Sequence, residues 1–455
     1  MSDFIRGTLR IVACSVLLAV CRAVGAEQPA AVGAPRDEPS APASSHSSDT
    51  EDMSDTEDMS SHAHSMGGMG AGLGPYPMTR EASGTAWQPD DSVHGGIHAA
   101  VDDWMLMTHA LINGVYDKQD GERGGDKWFV SGMAMTTATR MLGEADILRF
   151  RAMLSPEPLM GASGYPLLFA TGETADGRTP LIDRQHPHNL VIELSGSVAH
   201  LLDERQSVFL YAGLPGEPAF GPPAFMHRLS IEDSPEAPIS HHWLDSTHIT
   251  NGVVTVGYVN GDWKIEASRF YGREPDQHRY RIEPGPLDST AARLSWNPGR
   301  SLSVQVSWAQ QISPEQLAPQ ENETRVSASV LYTVPFGAGG YWATTAAYGY
   351  RRSTGRPGLP AEILESTIKP DDTWTAFARF ERVDNDELVA AQDFAGPAYT
   401  VAKLSLGAIH DWRLLAHVRV GLGALYAFNF VPAELVPLYG RDPAGMMVFL
   451  RLKVD

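Results

Sequence analysis

Three short stretches of the chain set methionine and histidine on alternate residues. Met105, Met107 and His109 fall on one side of an extended segment, because successive strand side chains point to opposite faces. Met133 and Met135 repeat the spacing in the company of Ser131 and Thr137, and Met153 follows Arg149 and Arg151 at the same interval. Thioether sulfur is a soft ligand suited to Cu(I), and imidazole suits Cu(II). Methionine also fills irregular space in crowded interiors, so the spacing leaves both readings open. The Ser, Thr and Arg companions turn these faces toward a wet interior. Leu111 and Val115 share the parity of Met105, which leaves the facing of the first stretch ambiguous.

A second concentration of soft ligands lies upstream. The unit Ser-Asp-Thr-Glu-Asp-Met occurs at 48–53 and again at 54–59, and His62, His64, Met66 and Met69 follow it. Flexible ligands of this kind collect and release ions, and the carboxylates attract them. The alternative is a solvated acidic linker whose His and Met are incidental, since the signal is compositional.

A third set lies in Pro-rich stretches. His186, His188, His227, His241, His242 and His248 fall within 63 residues, with Asp183, Glu217, Glu236 and Asp245 close by. A metal site and a hydrogen-bonded polar plug folded into a barrel mouth both fit them. No H-E-x-x-H spacing, G-x-S-x-G elbow or phosphate-binding glycine loop is present. Adjacent Asp245, Ser246 and His248 fix no catalytic geometry, so no enzyme is expected.

The elements that must carry these residues read as strands. Arg300 to Gln310 puts Leu302, Val304, Val306 and Trp308 opposite Ser301, Ser303, Gln305 and Ser307, and Leu414 to Phe430 alternates in the same way. Trp296, Trp308, Tyr332, Trp374 and Tyr426 fall on apolar faces near strand ends, as an aromatic girdle requires. The opposite faces carry Arg149, Arg151, Glu266, Arg293, Arg325, Arg379, Glu381, His417 and Arg419, which suits a lumen. Short turns such as 260–262 alternate with the long loops 157–187 and 215–244. The pattern predicts an all-β fold, a closed antiparallel transmembrane β-barrel of about sixteen strands, with fourteen to eighteen allowed.

Residues 1–26 have the zones of a secretory signal, with Arg6 and Arg10 before an apolar run at 11–21 and small residues at 24–26. Both cysteines, Cys14 and Cys21, fall inside it, which excludes disulfides and Cys-ligated metal downstream. Residues 27–101 read as a disordered, acidic, His/Met-rich periplasmic segment, and 102–455 as the barrel. The formal net charge of −20 excludes nucleic acid as a natural partner. The expected location is the bacterial outer membrane, reached by Sec export.

The runs 183–189, 216–228, 235–248 and 272–276 resemble those of a family of little-characterised bacterial outer-membrane β-barrel proteins associated with copper and heavy-metal resistance. The likeness extends from about Ser83 to the C-terminus. In layout, with a signal, a His/Met tail and a barrel, the chain is also similar to copper-resistance protein B. The resemblance implies a non-enzymatic barrel that binds or passes copper. Its partners would be outer-membrane lipid, metal ions and periplasmic copper-handling proteins. The alternative is a general channel for small solutes.

Overall fold

The computed structural model describes residues 71–93, 95–337, 339–389 and 396–455. Sixteen antiparallel strands close on themselves. In chain order they are β2 (Trp104–Gln119), β3 (Gly125–Leu142), β4 (Asp146–Leu154), β7 (Val191–Leu201), β8 (Gln206–Gly213), β9 (Val253–Asn260), β10 (Trp263–Phe270) and β11 (Ser289–Trp296). They continue with β12 (Leu302–Ile312), β13 (Asn322–Phe336), β14 (Gly340–Ser353), β15 (Leu359–Lys369), β16 (Trp374–Asn385), β17 (Tyr399–Leu415), β18 (Val418–Phe430) and β19 (Ala444–Val454). The ring closes where Gly445–Val454 of β19 pairs with Gln119–Ala110 of β2. A short β1 (Ile97–Val101) continues that seam by pairing with Thr108–Trp104 of the same strand. A separate hairpin, β5 (Tyr165–Thr174) and β6 (Pro180–Gln185), lies inside.

The alternation dictates which face is wet. On β12, Ser303, Gln305 and Ser307 are buried in the interior while Val306 and Trp308 are exposed outside. Outward apolar groups such as Trp128 (74 % exposed) and Ile265 (58 %) would be untenable in water over so large a surface. In a bilayer they are the lipid-facing band, and the stacked Trp263 and Trp296, 5.0 Å apart, belong to its aromatic edge. Trp296, Trp308, Tyr332, Trp374 and Tyr426 are all exposed on this outer surface. The chain is a closed transmembrane β-barrel. Hairpins β3–β4, β9–β10 and β17–β18 turn tightly at one rim, which in such barrels is the periplasmic one, and long loops occupy the other.

The lumen is filled. Residues 71–92, expected to be disordered, instead enter from the short-turn rim and pack against the inner wall; this corrects the expectation of disorder through residue 101. Arg80 pairs with Asp90 at 2.6 Å and donates to the Gly261 carbonyl in the β9–β10 turn, while Asn297 donates to the Gln88 carbonyl. Trp87 is 3 % exposed and stacks edge-on with Tyr76, centroids 5.1 Å apart. A Gly/Pro-rich segment cannot build a core of its own, but it can borrow the barrel wall. Burying one tryptophan is worth about 4–6 kcal/mol before ordering entropy. From the opposite rim, loop 155–190 and loop 214–252 fold inward. Glu232 and Asp233, on the second of these, reach Lys453 and Arg451 near the C-terminal end of β19.

One lumen assignment is corrected. His417 lies on the exposed turn between β17 and β18, where its ring meets the Asp455 carbonyl at 3.0 Å. A two-residue turn at Ala416-His417 without Gly, Pro, Asn or Asp leaves the alternation unbroken, so the phase carries across it and hides the reversal. Arg419, two residues on, is partly buried and is shared between Asp372 and Asp455 at the same rim.

Candidate functional site

Two places inside the barrel collect the metal-ligating side chains. The first is a cavity of about 280 Å³ near the short-turn rim. Met105, Met107 and His109 of β2 line it beside Met133 and Met135 of β3, because antiparallel register sets His109 opposite Met135 and Leu111 opposite Met133. Met78 closes it from the N-terminal segment, and Met226 and His227 close it from loop 214–252. The His109 and His227 rings lie 6.4 Å apart. Met153 is opposite Met135 on β4 and packs with Met133, Met135, Ile192 and Ile249 just behind the cavity wall. The ambiguity over the facing of Met105 is thereby resolved inward. Sequence reasoning missed Met78 and Met226 as wall residues. Met226 sits within the Phe-Met-His run, and its neighbour His227 was the available signal; Met78 carried none.

Arg149 and Arg151 stand beside this cavity but are committed to the plug. Arg149 pairs with Glu81, and Arg151 donates to the Ala82 and Gly84 carbonyls at 3.3 and 3.2 Å. The other inward charges are likewise spent on the loops. Arg293 pairs with Glu266 at 2.9 Å and donates to Gly221 O at 3.0 Å. Arg379 joins Glu236 at 3.0 Å and Glu381 at 3.1 Å, and Glu381 accepts from Ser240. Arg325 joins Glu323 and reaches Ser246 Oγ at 2.6 Å. These residues face the lumen and anchor its contents.

The second place is a knot of five buried imidazoles. His186 and His188 follow β6, His241 and His242 sit on the one-turn helix His241–Leu244, and His248 ends the turn Ser246–His248. Ring centroids are 5.9 Å apart for His186–His241, 5.7 Å for His186–His242, 5.2 Å for His241–His248 and 5.0 Å for His188–His248. Nδ1 of His241, His242 and His248 hydrogen-bonds to Asp245 at 2.8 Å, Glu274 at 3.2 Å and the Asp245 carbonyl at 2.6 Å, while Nδ1 of His186 and His188 lies 3.4 Å from Glu173 and 3.0 Å from Glu157 without hydrogen-bond geometry. The Nε2 atoms of His186, His188, His242 and His248 are buried without a hydrogen-bond partner. An imidazole oriented by oxygen at Nδ1 is the arrangement that presents Nε2 to a metal. The sixth histidine of the sequence cluster, His227, belongs to the first cavity instead.

Several cations hold loop 214–252, among them Arg379 and Lys403 on Glu236 and Arg451 on Asp233, and Arg228 ties the loop to itself and to the wall. Arg228 grips Glu365 through two bonds of 2.8 Å and Asp245 at 2.5 Å, all fully buried. Asp245 in turn orients His241. Burial alone would raise the Asp245 carboxyl, but Arg228 together with His241 and His248 outweighs it and holds the group well below the usual range. Burial, with the neighbouring His242, His241 and His188 rings, keeps His186 far below the ordinary imidazole value, and burial with His188 and His241 does the same for His248. Both therefore stay neutral with a lone pair available. Burial also pulls on His242, yet Glu274 wins and raises it. Nearby, burial and the charges of Glu274 and Glu387 push the Glu315 carboxyl up to about 8.

The two places adjoin. A narrow gap between them is lined by His186 and His188 on one side and Met133 and Met226 on the other, with Phe225 between. Phe225 lies 5.9 Å from His188 and 5.7 Å from His241. Nothing is described for His62, His64, Met66 and Met69, which lie outside the described residues.

No protein-family model matches the chain, and no curated protein matches it. Solved structures do. An anion-selective porin from Comamonas acidovorans shares 10 % identity over 77 % of this chain and 99 % of its own, with a TM-score of 0.46. Salmonella typhi OmpF, in complex with daunomycin, shares 11 % over 78 % of this chain and 100 % of its own, at 0.48. OmpT, an outer-membrane protein of Vibrio cholerae, shares 9 % over 78 % of this chain and 99 % of its own, at 0.42.

Proposed function

We propose that this protein is a plugged outer-membrane barrel that binds copper and passes it along its interior, without chemical turnover. One observation carries the reading. In a lumen where Arg149, Arg293, Arg325 and Arg379 are committed to ion pairs, the five-imidazole knot and the methionine-lined cavity form one continuous run of metal ligands from the long-loop end toward the short-turn end. Imidazole accepts Cu(II) and Cu(I), and a wall of thioethers favours Cu(I) over harder ions. Residues 46–69 then act as a periplasmic collector, and periplasmic copper-handling proteins as the exchange partners. The test is copper movement into liposomes that carry the purified mature chain. Replacing Met105, Met107, Met133 and Met135 by leucine keeps volume and removes sulfur, at under about 1.5 kcal/mol each. Flux should fall at least tenfold; equal flux in the variant would defeat the proposal.

A general channel for small solutes is the second reading. Its support is the sixteen-strand count, since closed barrels of that size enclose room for an aqueous path. It requires the N-terminal segment and the two inward loops to leave the lumen. Planar-bilayer conductance separates the readings: a large, metal-indifferent current from the intact chain favours the channel.

A further inference from the structure

The geometry points to a further site, for a divalent transition-metal ion of borderline hardness, Zn²⁺ or a congener, formed where His242 at the edge of the imidazole knot meets Glu274 and Glu315 at the outer end of the lumen. Three loops deliver these residues: 214–252, the β10–β11 connection and the β12–β13 connection. One ligand atom from each lies within 4.8 Å of the others. That spread is what three ligands around one ion require, since ligand atoms at about 2.0–2.2 Å from zinc sit three to four ångströms from each other.

Two observations say that something is missing among these groups. Glu274 Oε2 and Glu315 Oε1 are buried with no hydrogen-bond partner. Glu315 also has no ion pair among the described residues. Arg325 is 3.4 Å from Glu274 and is already shared with Glu323 and Ser246. Two carboxylates that close repel unless a cation lies between them or one of them holds a proton. The site is also held rigidly. Gly172, at φ +99°, lets the β5 backbone close on His242, where an added Cβ would stand 2.5 Å from Nε2. Ser246 donates to Glu274 at 3.0 Å and fixes that carboxylate.

The donor set defines the ligand. Two carboxylates and one imidazole, without sulfur, suit Zn²⁺ or Mn²⁺ and discriminate against Cu(I). The site uses none of the methionine-lined cavity, and it shares only His242 with the imidazole knot of the copper reading. The competing explanation is an imidazolium of His242 serving as the cation, which needs no metal.

The test uses the full chain in detergent, stripped with chelator and titrated with Zn²⁺. Calorimetry should show one tight Zn²⁺ per chain, and zinc X-ray absorption should show an oxygen and nitrogen shell without sulfur. Glu315→Gln should weaken binding at least tenfold while the barrel keeps its heat-modifiable mobility on gels. Leucine at Met105, Met107, Met133 and Met135 should leave Zn²⁺ binding unchanged. Equal binding by Glu315→Gln, a sulfur shell, or no Zn²⁺ bound at all would overturn the site; the last is the outcome expected of an imidazolium. None of these results bears on Cu(I) at the other cavity, which is scored by a different ion and different variants.

Discussion

Arg228 should be the fastening of the inward loop, and its removal should open that loop before it unfolds the barrel. The side chain is fully buried, with both Glu365 oxygens at 2.8 Å, Asp245 at 2.5 Å and the Pro223 carbonyl at 2.9 Å. Arg228→Met keeps most of the volume and leaves two carboxylates facing each other without their cation. Breaking a buried pair from one side costs about 3–5 kcal/mol. Sixteen paired strands are far more stable than a loop, so the cost is drawn from local opening. At 1.4 kcal/mol per decade, amide protection over 224–248 should fall about a hundredfold to a few thousandfold by hydrogen exchange, with strand amides unchanged. Glu365→Gln in the same chain should restore part of the loss, because it removes one orphaned charge. The exposed pair Arg413–Asp372, 3.0 Å apart, supplies the control: Arg413→Ala should change protection less than about fivefold, in keeping with a surface pair worth at most about 1 kcal/mol. A fall of less than tenfold for Arg228→Met, or one equal to the control, would refute the idea that ion pairing holds the loop in the lumen.

Deleting residues 71–92 strips Arg149 and Arg151 of their plug contacts, and planar-bilayer conductance should rise from closed to open with anion preference; an unchanged current would mean that this segment does not seal the lumen. Acid should loosen the imidazole knot. His186 and His248 have folded values below their unfolded ones, so their neutral forms stabilise the fold above about pH 6.5 and that contribution is lost as pH falls below it. Amide protection over 186–190 and 241–248 should therefore drop between pH 6.5 and 5, and His186→Asn should flatten the profile. Gly172→Ala combines φ +99° with the close approach to His242, and should cost about 1–3 kcal/mol in urea unfolding. Gly143→Ala, at φ +72° with nothing within 4 Å, should sit at the low end of that range.

The barrel was legible because lipid outside and a polar lumen inside impose a strict two-residue period, so Val306, Trp308, Gln305 and Ser307 announce their faces. The turn at Ala416-His417 was not legible, since it preserves the period and lacks a turn residue. The segment 71–92 was misread for a different reason. Composition reports whether a segment can bury itself, and Trp87 and Tyr76 are buried against the barrel. The imidazole knot was half legible: the sequence grouped six histidines, but only tertiary folding separates His227 from the other five. Glu157, Glu173, Glu274 and Glu315 gave no signal, because carboxylates that orient or join a site from distant loops carry no local pattern.

The most direct test of copper in this barrel is X-ray absorption at the copper edge on a chain that begins at residue 71 and is loaded with one Cu(I), which removes the upstream His62–Met69 tract as a competitor. The account predicts sulfur neighbours in the copper shell, lost when Met105, Met107, Met133 and Met135 become leucine. A sulfur-free shell in the parent chain, or one unchanged by the four substitutions, would contradict it.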